Sequence, residues 1–353
     1  MEKSSVAGYA PATAAAVLPR PVRGRGESGI LSAIGNTPLV RLRRLWPGAG
    51  LRVYAKLESV NPGGSMKDRP AAAILEGGIA SGAIRHDTVI IEQSSGNMGI
   101  GLAQACGYHG LRFICVVDPK TTVQNVRILR SYGAELDYVT EPDPATGEFL
   151  PAKLARIQAL LREFPNSFWP NQYENQDNPA SHYTTMHEVA TAMDGDVDYL
   201  FVGTSTCGTI RGCAEYVRDH GMKTRIVAVD SVGSLIFTDR TAKRLIPGLG
   251  AAVKPPFFDS CRMGEYVHVN DLDCVVGCRR LVRAEAILAG GSAGGIVSAF
   301  DNVVTRIPSG STCVMVLPDR GERYLDTIYS DEWVREHFGE VSHLWETKEA
   351  DVA

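Results

Sequence analysis

A lysine stands at position 67 inside "NPGGSMKDRP" (61–70), behind two glycines and ahead of a proline. The glycines permit tight backbone turns, and Pro70 suits the first turn of a helix. Lys67 is therefore expected at a loop-to-helix junction. A lysine in such a place can form an imine with an aldehyde cofactor and can carry a proton. Taken alone, it reads equally as a solvated lysine beside a helix start, so the rest of the chain has to decide. Four further segments bear on it. In "SSGNMG" (94–99), Ser94, Ser95, Gly96 and Asn97 end a strand and open a helix whose free N–H groups suit a carboxylate. In "GTSTCGT" (203–209), small residues and hydroxyls before a helix have the makings of a phosphate cradle. "AGGSAGG" (289–295) surrounds Ser292 with residues small enough for a flat ring to approach, and "PDRGERY" (318–324) suggests a cleft wall.

Other chemistries find no support. "GNMGIG" is not GxGxxG, and no GK[ST] follows a glycine loop, which excludes a Walker nucleotide site. His182, His187 and Glu188 do not form HExxH, and there is no GxSxG elbow.

These segments need a frame to hold them. From about residue 50, apolar runs alternate with helical patterns. Strands are expected at 52–58, 88–95, 111–119, 135–141, 197–205, 224–231 and 311–320. Helices are expected from Gly99 to His109, from about Thr122 to Tyr132, over 151–164, from Gly208, and through 277–290. Unbroken apolar strands separated by helices imply parallel sheets covered on both faces, with ligands at the carboxyl ends of the strands. Two loops interrupt the pattern, at 169–183 and 245–260, and the first is a plausible domain boundary.

The chain has 353 residues, enough for two α/β domains, and a net charge of −4 without a long basic run. Neither a nucleic-acid partner nor a membrane partner is expected. Eight cysteines (Cys106, Cys115, Cys207, Cys213, Cys261, Cys274, Cys278 and Cys313) form no CxxC pair and mostly sit in apolar segments. They read as buried thiols of a reducing compartment, hence a cytoplasmic protein without a metal site. Residues 1–28, rich in Ala, Pro, Gly and Arg, read as a flexible tail.

Taken in order, "NPGGSMKDR", "SSGNMG", "NQYEN", "GTSTCGT", "GGSAGG" and "PDRGERY" resemble the fold-type II pyridoxal-phosphate enzymes, among them cysteine synthase and cystathionine β-synthase. The likeness covers roughly residues 28–335. It implies an α/β, tryptophan synthase β-like fold of two doubly wound parallel-sheet domains, with pyridoxal 5′-phosphate in the cleft between them. The smaller, mobile domain would span 61–170. The larger would comprise 29–60 and 171–335, with 336–353 as a C-terminal tail. Residue by residue, Lys67 matches the Schiff-base lysine. Asn97 matches the asparagine that hydrogen-bonds the 3′ oxygen, and Ser205, Thr206, Cys207, Gly208 and Thr209 match the phosphate loop. Ser292 matches the partner of the ring nitrogen. Ser94, Ser95, Gly96, Asn97 and Met98, with Gln172, match the substrate-carboxylate site. A serine hydroxyl does not hold the ring nitrogen protonated as a carboxylate would. That weakens the electron sink and favours loss of a group from Cβ as the Cα proton departs.

Departures from the usual cysteine synthase motifs are Met98, Tyr173, Ser205 and Cys207. The stretches "KLESVNPGGSMKDRPA", "CVVDPK", "AVDSVGSLIF", "LPDRGERYLD" and "YSDEW" are similar to the N-(2-amino-2-carboxyethyl)-L-glutamate synthase branch. That branch implies O-phospho-L-serine as donor and L-glutamate as acceptor, joined through an α-aminoacrylate. The reaction would open 2,3-diaminopropionate synthesis for a siderophore or peptide antibiotic. Tyr173 and Ser205 match substrate positions there. Lys153 falls near an arginine of that branch and keeps the charge but not the bidentate geometry. The resemblance also implies a homodimer and a functional pairing with an NAD-dependent dehydrogenase that cleaves the product. Two alternatives stay open: a cysteine synthase using O-acetylserine or O-phosphoserine with sulfide, and a non-catalytic cofactor-binding regulator.

Overall fold

A computed structural model describes residues 29–258 and 265–346. The expected N-terminal tail and Cys261 lie outside these residues. The other seven cysteines are buried and form no disulfide among the described residues.

The described chain builds two sheets. The larger contains β1 (Leu39–Leu42), β2 (Arg52–Leu57), β7 (Tyr199–Gly203), β8 (Arg225–Ser231), β9 (Glu265–Val269) and β10 (Thr312–Leu317), in the order β1-β2-β10-β7-β8-β9. Every pairing in it is parallel except β1 with β2. The smaller contains β3 (Val89–Gln93), β4 (Arg112–Val117), β5 (Glu135–Tyr138) and β6 (Ser167–Phe168), in the order β5-β4-β3-β6, all parallel.

Side-chain parity explains the layering, since neighbours on a strand face opposite ways. Leu200, Val202, Val314 and Val316 pack on one face of the larger sheet, against α5 (Asp177–Ala192) and α6 (Gly208–Asp219). Phe201, Val227, Val229, Met315 and Leu317 face the other way, onto α7 (Asp271–Glu285) and α8 (Gly291–Val303). The smaller sheet is covered likewise. Ile90, Phe113, Cys115 and Val117 pack with α1 (Asp68–Ala80) and α2 (Asn97–His109). Ile91, Ile114 and Val116 meet Ile157 and Leu160 of α4 (Phe149–Glu163). Two further helices are α3 (Val123–Ser131), capped by the Thr122 side chain, and α9 (Asp331–Phe338), capped by Ser330.

The parallel α/β architecture matches the expectation. Three local expectations do not hold. The helix expected through 277–290 stops at Glu285, where Ala286 turns left-handed at φ 57°. The loop expected at 169–183 already contains the first turns of α5. Residues 336–346, expected in a tail, include the end of α9, and Trp345 is buried in the core of the larger sheet. Residues 347–353 lie outside the described part. Among the described residues, no helix is long and apolar enough to cross a membrane.

Candidate active site

Five chain segments converge at the carboxyl ends of the strands. After β2 comes the 58–67 turn that leads into α1; Lys67 is the residue before the helix. After β3 comes Ser94–Gly96 and then α2. After β7 comes Thr204–Cys207 and then α6. Ser292 lies in the first turn of α8, and Pro318 follows β10. One cavity is lined by Met66, Lys67, Ser94, Asn97, Met98, Gln172, Tyr173, Gly203, Ser205, Thr206, Cys207, Thr209, Gly248, Ser292 and Pro318. Segments far apart in sequence thus place most of the expected site residues around one space. Ser95, Gly96 and Gly208 belong to the same loops but do not line that space.

Each loop is fixed locally. The Ser94 hydroxyl oxygen accepts from Gly99 N at 2.9 Å, tying the end of β3 to the first turn of α2. Ser95 points away from the cavity. Its hydroxyl donates to Asp118 Oδ2 at 3.3 Å and accepts from Lys153 Nζ at 3.4 Å, while Lys153 and Asp118 form a buried ion pair at 2.5 Å. Lys153 thus supports the Ser94–Gly96 loop from behind. Cys207 takes the left-handed conformation at φ 64° and leads into α6. A Cβ on Gly208 would lie 2.4 Å from Asn178 Oδ1, so only glycine fits there. The N–H groups of the first turn of α6 have no carbonyl partner within the helix.

The electrostatics single out Lys67. Burial pushes its ammonium down to about 8, against the opposing pull of Cys207 and Asp319. Among the described residues it forms no salt bridge. A sizeable neutral fraction near physiological pH makes it a nucleophile and a base. Behind the cavity, burial raises the Glu92 carboxyl to about 7. Trp169 Nε1 at 3.2 Å, Gln93 N at 2.9 Å and Gln172 N at 3.4 Å donate to it. Burial also raises Tyr173, with the Glu92 carboxylate adding to the shift.

The residues present suit pyridoxal phosphate. A neutralisable amine lies on one side, and the N–H groups at the start of α6 can take a phosphate. Ser292 remains open because position 248 has no side chain: a Cβ there would sit 2.4 Å from Ser292 Oγ. Asn97 brings an amide whose Nδ2 donates to Asp319 Oδ2 at 2.9 Å and whose Oδ1 accepts from Arg323.

Three residues of this site were not singled out by the sequence. Glu92 offered one signal, a charge inside the apolar run "VIIEQ". Asp319 sat in a segment noted only as a cleft wall. Gly248 sat in a loop noted only as a break in the strand–helix pattern.

Comparison with known proteins agrees. Residues 30–319 match the family described as pyridoxal-phosphate dependent enzyme. An O-acetylserine dependent cystathionine β-synthase from Helicobacter pylori superposes with TM-score 0.79 at 30% identity, covering 85% of this chain and 98% of that one. An O-ureido-L-serine synthase superposes with TM-score 0.79 at 31% identity, covering 86% and 97%. A hydrogen sulfide-producing enzyme from Fusobacterium nucleatum does so with TM-score 0.79 at 30% identity, covering 87% and 100%. With a match that spans most of its length and a cleft whose residues suit the coenzyme, the chain belongs to the pyridoxal-phosphate dependent enzymes of fold-type II, among the β-replacement synthases.

Proposed function

We propose that the enzyme replaces the phosphate of O-phospho-L-serine with the amine of L-glutamate, giving N-(2-amino-2-carboxyethyl)-L-glutamate. The observation that carries this reading is a polar acceptor wall: Tyr173 and Ser205 line the cavity that holds Lys67. Hydroxyls there suit an acceptor larger and more polar than sulfide. The likeness of "AVDSVGSLIF" and "LPDRGERYLD" to that branch supports the same assignment.

When bound, pyridoxal phosphate supplies an aldehyde for Lys67 and a ring that withdraws electrons from the amino-acid Cα. The protein's own groups do the rest. The neutral amine of Lys67 would hold the aldehyde and, when free, would serve as the base for the proton at the amino-acid Cα. Ser94 and Gln172 line the cavity and would hold the substrate carboxylate, with the N–H groups at the start of α2 beside them. Asn97 would hold the ring oxygen and Ser292 the ring nitrogen, the latter without adding charge. Ser205 to Thr209 would hold the coenzyme's phosphate at the start of α6. The Cβ–O bond to phosphate breaks, the glutamate amine forms a new bond to Cβ, and Lys67 returns a proton to Cα. Closure of the cleft would keep water from Cβ. Under this reading the smaller domain, 61–170, closes over the larger, 29–60 with 171–335, the enzyme acts as a homodimer, and a dehydrogenase consumes its product.

The test supplies purified protein and pyridoxal phosphate with O-phosphoserine and either glutamate or sulfide, and weighs the products by mass spectrometry. The glutamate adduct and free phosphate are expected. Cysteine as the sole product would replace the reading with a cysteine synthase. No turnover of any β-substituted serine would leave a cofactor-binding regulator.

A further inference from the structure

The segment Pro318–Tyr324 runs past three walls of the cleft. Its backbone meets the lysine turn, where Met66 N donates to Pro318 O at 2.8 Å and Arg320 N to Gly64 O at 3.2 Å. It meets the serine loop, where Gly290 N donates to Asp319 O and Gly321 N to Leu288 O, both at 3.2 Å. Its side chains meet the asparagine. Asp319, 1% exposed, accepts through Oδ2 from Asn97 Nδ2 at 2.9 Å and from the Tyr324 hydroxyl at 2.7 Å. Arg323 donates to Asn97 Oδ1 and to Gly63 O.

We propose that Asp319 and Arg323 are positioning residues that lock the side-chain amide of Asn97 in one of its two orientations, with an N–H presented to the coenzyme. A carboxamide is nearly symmetrical in shape, so its rotation by half a turn costs little unless its neighbours distinguish oxygen from nitrogen. Arg323 only donates, and an ionised Asp319 only accepts. Together they admit a single arrangement: oxygen toward Arg323 and nitrogen toward Asp319. The nitrogen carries two hydrogens and Asp319 takes one. Asn97 lines the cavity, which leaves the second available to an acceptor on the ring. Tyr324 donates to the same Oδ2 and holds the carboxylate in place. The inference rests on the assignment of Asn97 to the coenzyme.

Double-mutant titration of apoprotein tests it. Wild type, Asp319→Asn, Asn97→Ala and the double variant are stripped of coenzyme and retitrated with pyridoxal phosphate. Affinity is read from quenching of protein fluorescence and from the bound coenzyme's visible band. Asp319→Asn keeps the shape of the side chain but offers an amide that can pair either way. Roughly tenfold weaker binding is expected, the scale of one charge-assisted hydrogen bond, together with a shifted visible band. In the Asn97→Ala background the same change is expected to cost nothing further. Additive losses, or an unshifted band with unchanged affinity in Asp319→Asn, would overturn the proposal. If Asp319→Asn does not fold by circular dichroism, the partly exposed Arg323→Met takes its place in the same cycle, with the same outcomes decisive. Wild-type protein that takes up no coenzyme would instead refute the assignment of the cleft itself.

Discussion

The reactivity of Lys67 should be visible in the pH dependence of coenzyme uptake. Burial brings its ammonium down from the usual 10.5 to about 8. At pH 7 roughly one amine in ten is then neutral, against about one in three thousand for an ordinary lysine, a gain of roughly 300-fold. The rate at which apoprotein forms the imine with pyridoxal phosphate should therefore rise about tenfold between pH 7 and pH 9 and flatten above pH 8. An ordinary lysine would climb roughly a hundredfold over the same interval without flattening. Stopped-flow absorbance in matched buffers measures this, with Nα-acetyl-lysine as a control that removes the ionisation of the coenzyme from the comparison. A rate that keeps rising log-linearly to pH 10 would refute the argument that burial activates this amine. Lys67→Arg should abolish the reaction at every pH.

Three further predictions concern stability and fit. Arg69 donates through Nε to Glu58 Oε2 at 2.7 Å and through Nη1 to Glu188 Oε1 at 2.7 Å, and Glu58 is fully buried. Arg69→Met should lower unfolding stability by about 3–5 kcal/mol in urea titrations, because it strands a buried carboxylate. A loss below 1 kcal/mol would mean that Glu58 is neutral in the native protein. Glu92 is raised by burial from about 4.5 to about 7, so its stabilising contribution is complete below pH 4.5 and is lost as pH rises through 7. The Glu92 contribution should fall by about 2.5 kcal/mol between pH 5 and pH 8, and Glu92→Gln should flatten that slope. Gly248→Ala places a methyl 2.4 Å from Ser292 Oγ at φ +103°. It should weaken coenzyme binding at least roughly tenfold in equilibrium titration, and unchanged affinity would place the ring away from Ser292.

The fold was legible where strands are buried on both faces. The run "RFICVV" of β4 and "TCVMVL" of β10 are apolar from end to end because helices cover both sides. The edges were harder. β1 and β9 each bury only one residue fully, so neither carries an apolar run. α5 opens on "DNPASHY" and turns polar side chains inward: Asn178, Ser181 and Thr185 are buried, and Glu188 binds Arg69 and Lys56. Its buried face therefore reads as polar, and the helical period is hidden. At the site, Lys67, Asn97, Ser292 and the loop at 205–209 announced themselves through glycine-rich local patterns. Glu92 and Asp319 did not, because each matters through partners 80 and 222 residues away respectively, Gln172 and Asn97. Ser95 shows the reverse case. Its motif foretold a substrate contact, while the side chain turns back to Asp118 and Lys153.

The ion network around Arg69 has a mechanical corollary. Arg69 sits two residues after Lys67, and its partners Glu58 and Glu188 follow β2 and lie on α5, elements of the larger sheet. Farther along α1, Ala71, Ile74 and Leu75 lie in the core of the smaller sheet. One helix is thus bolted at its head to one sheet and embedded along its flank in the core of the other. The residue just before that helix, Lys67, therefore stands at the point where the two sheets are tied to each other.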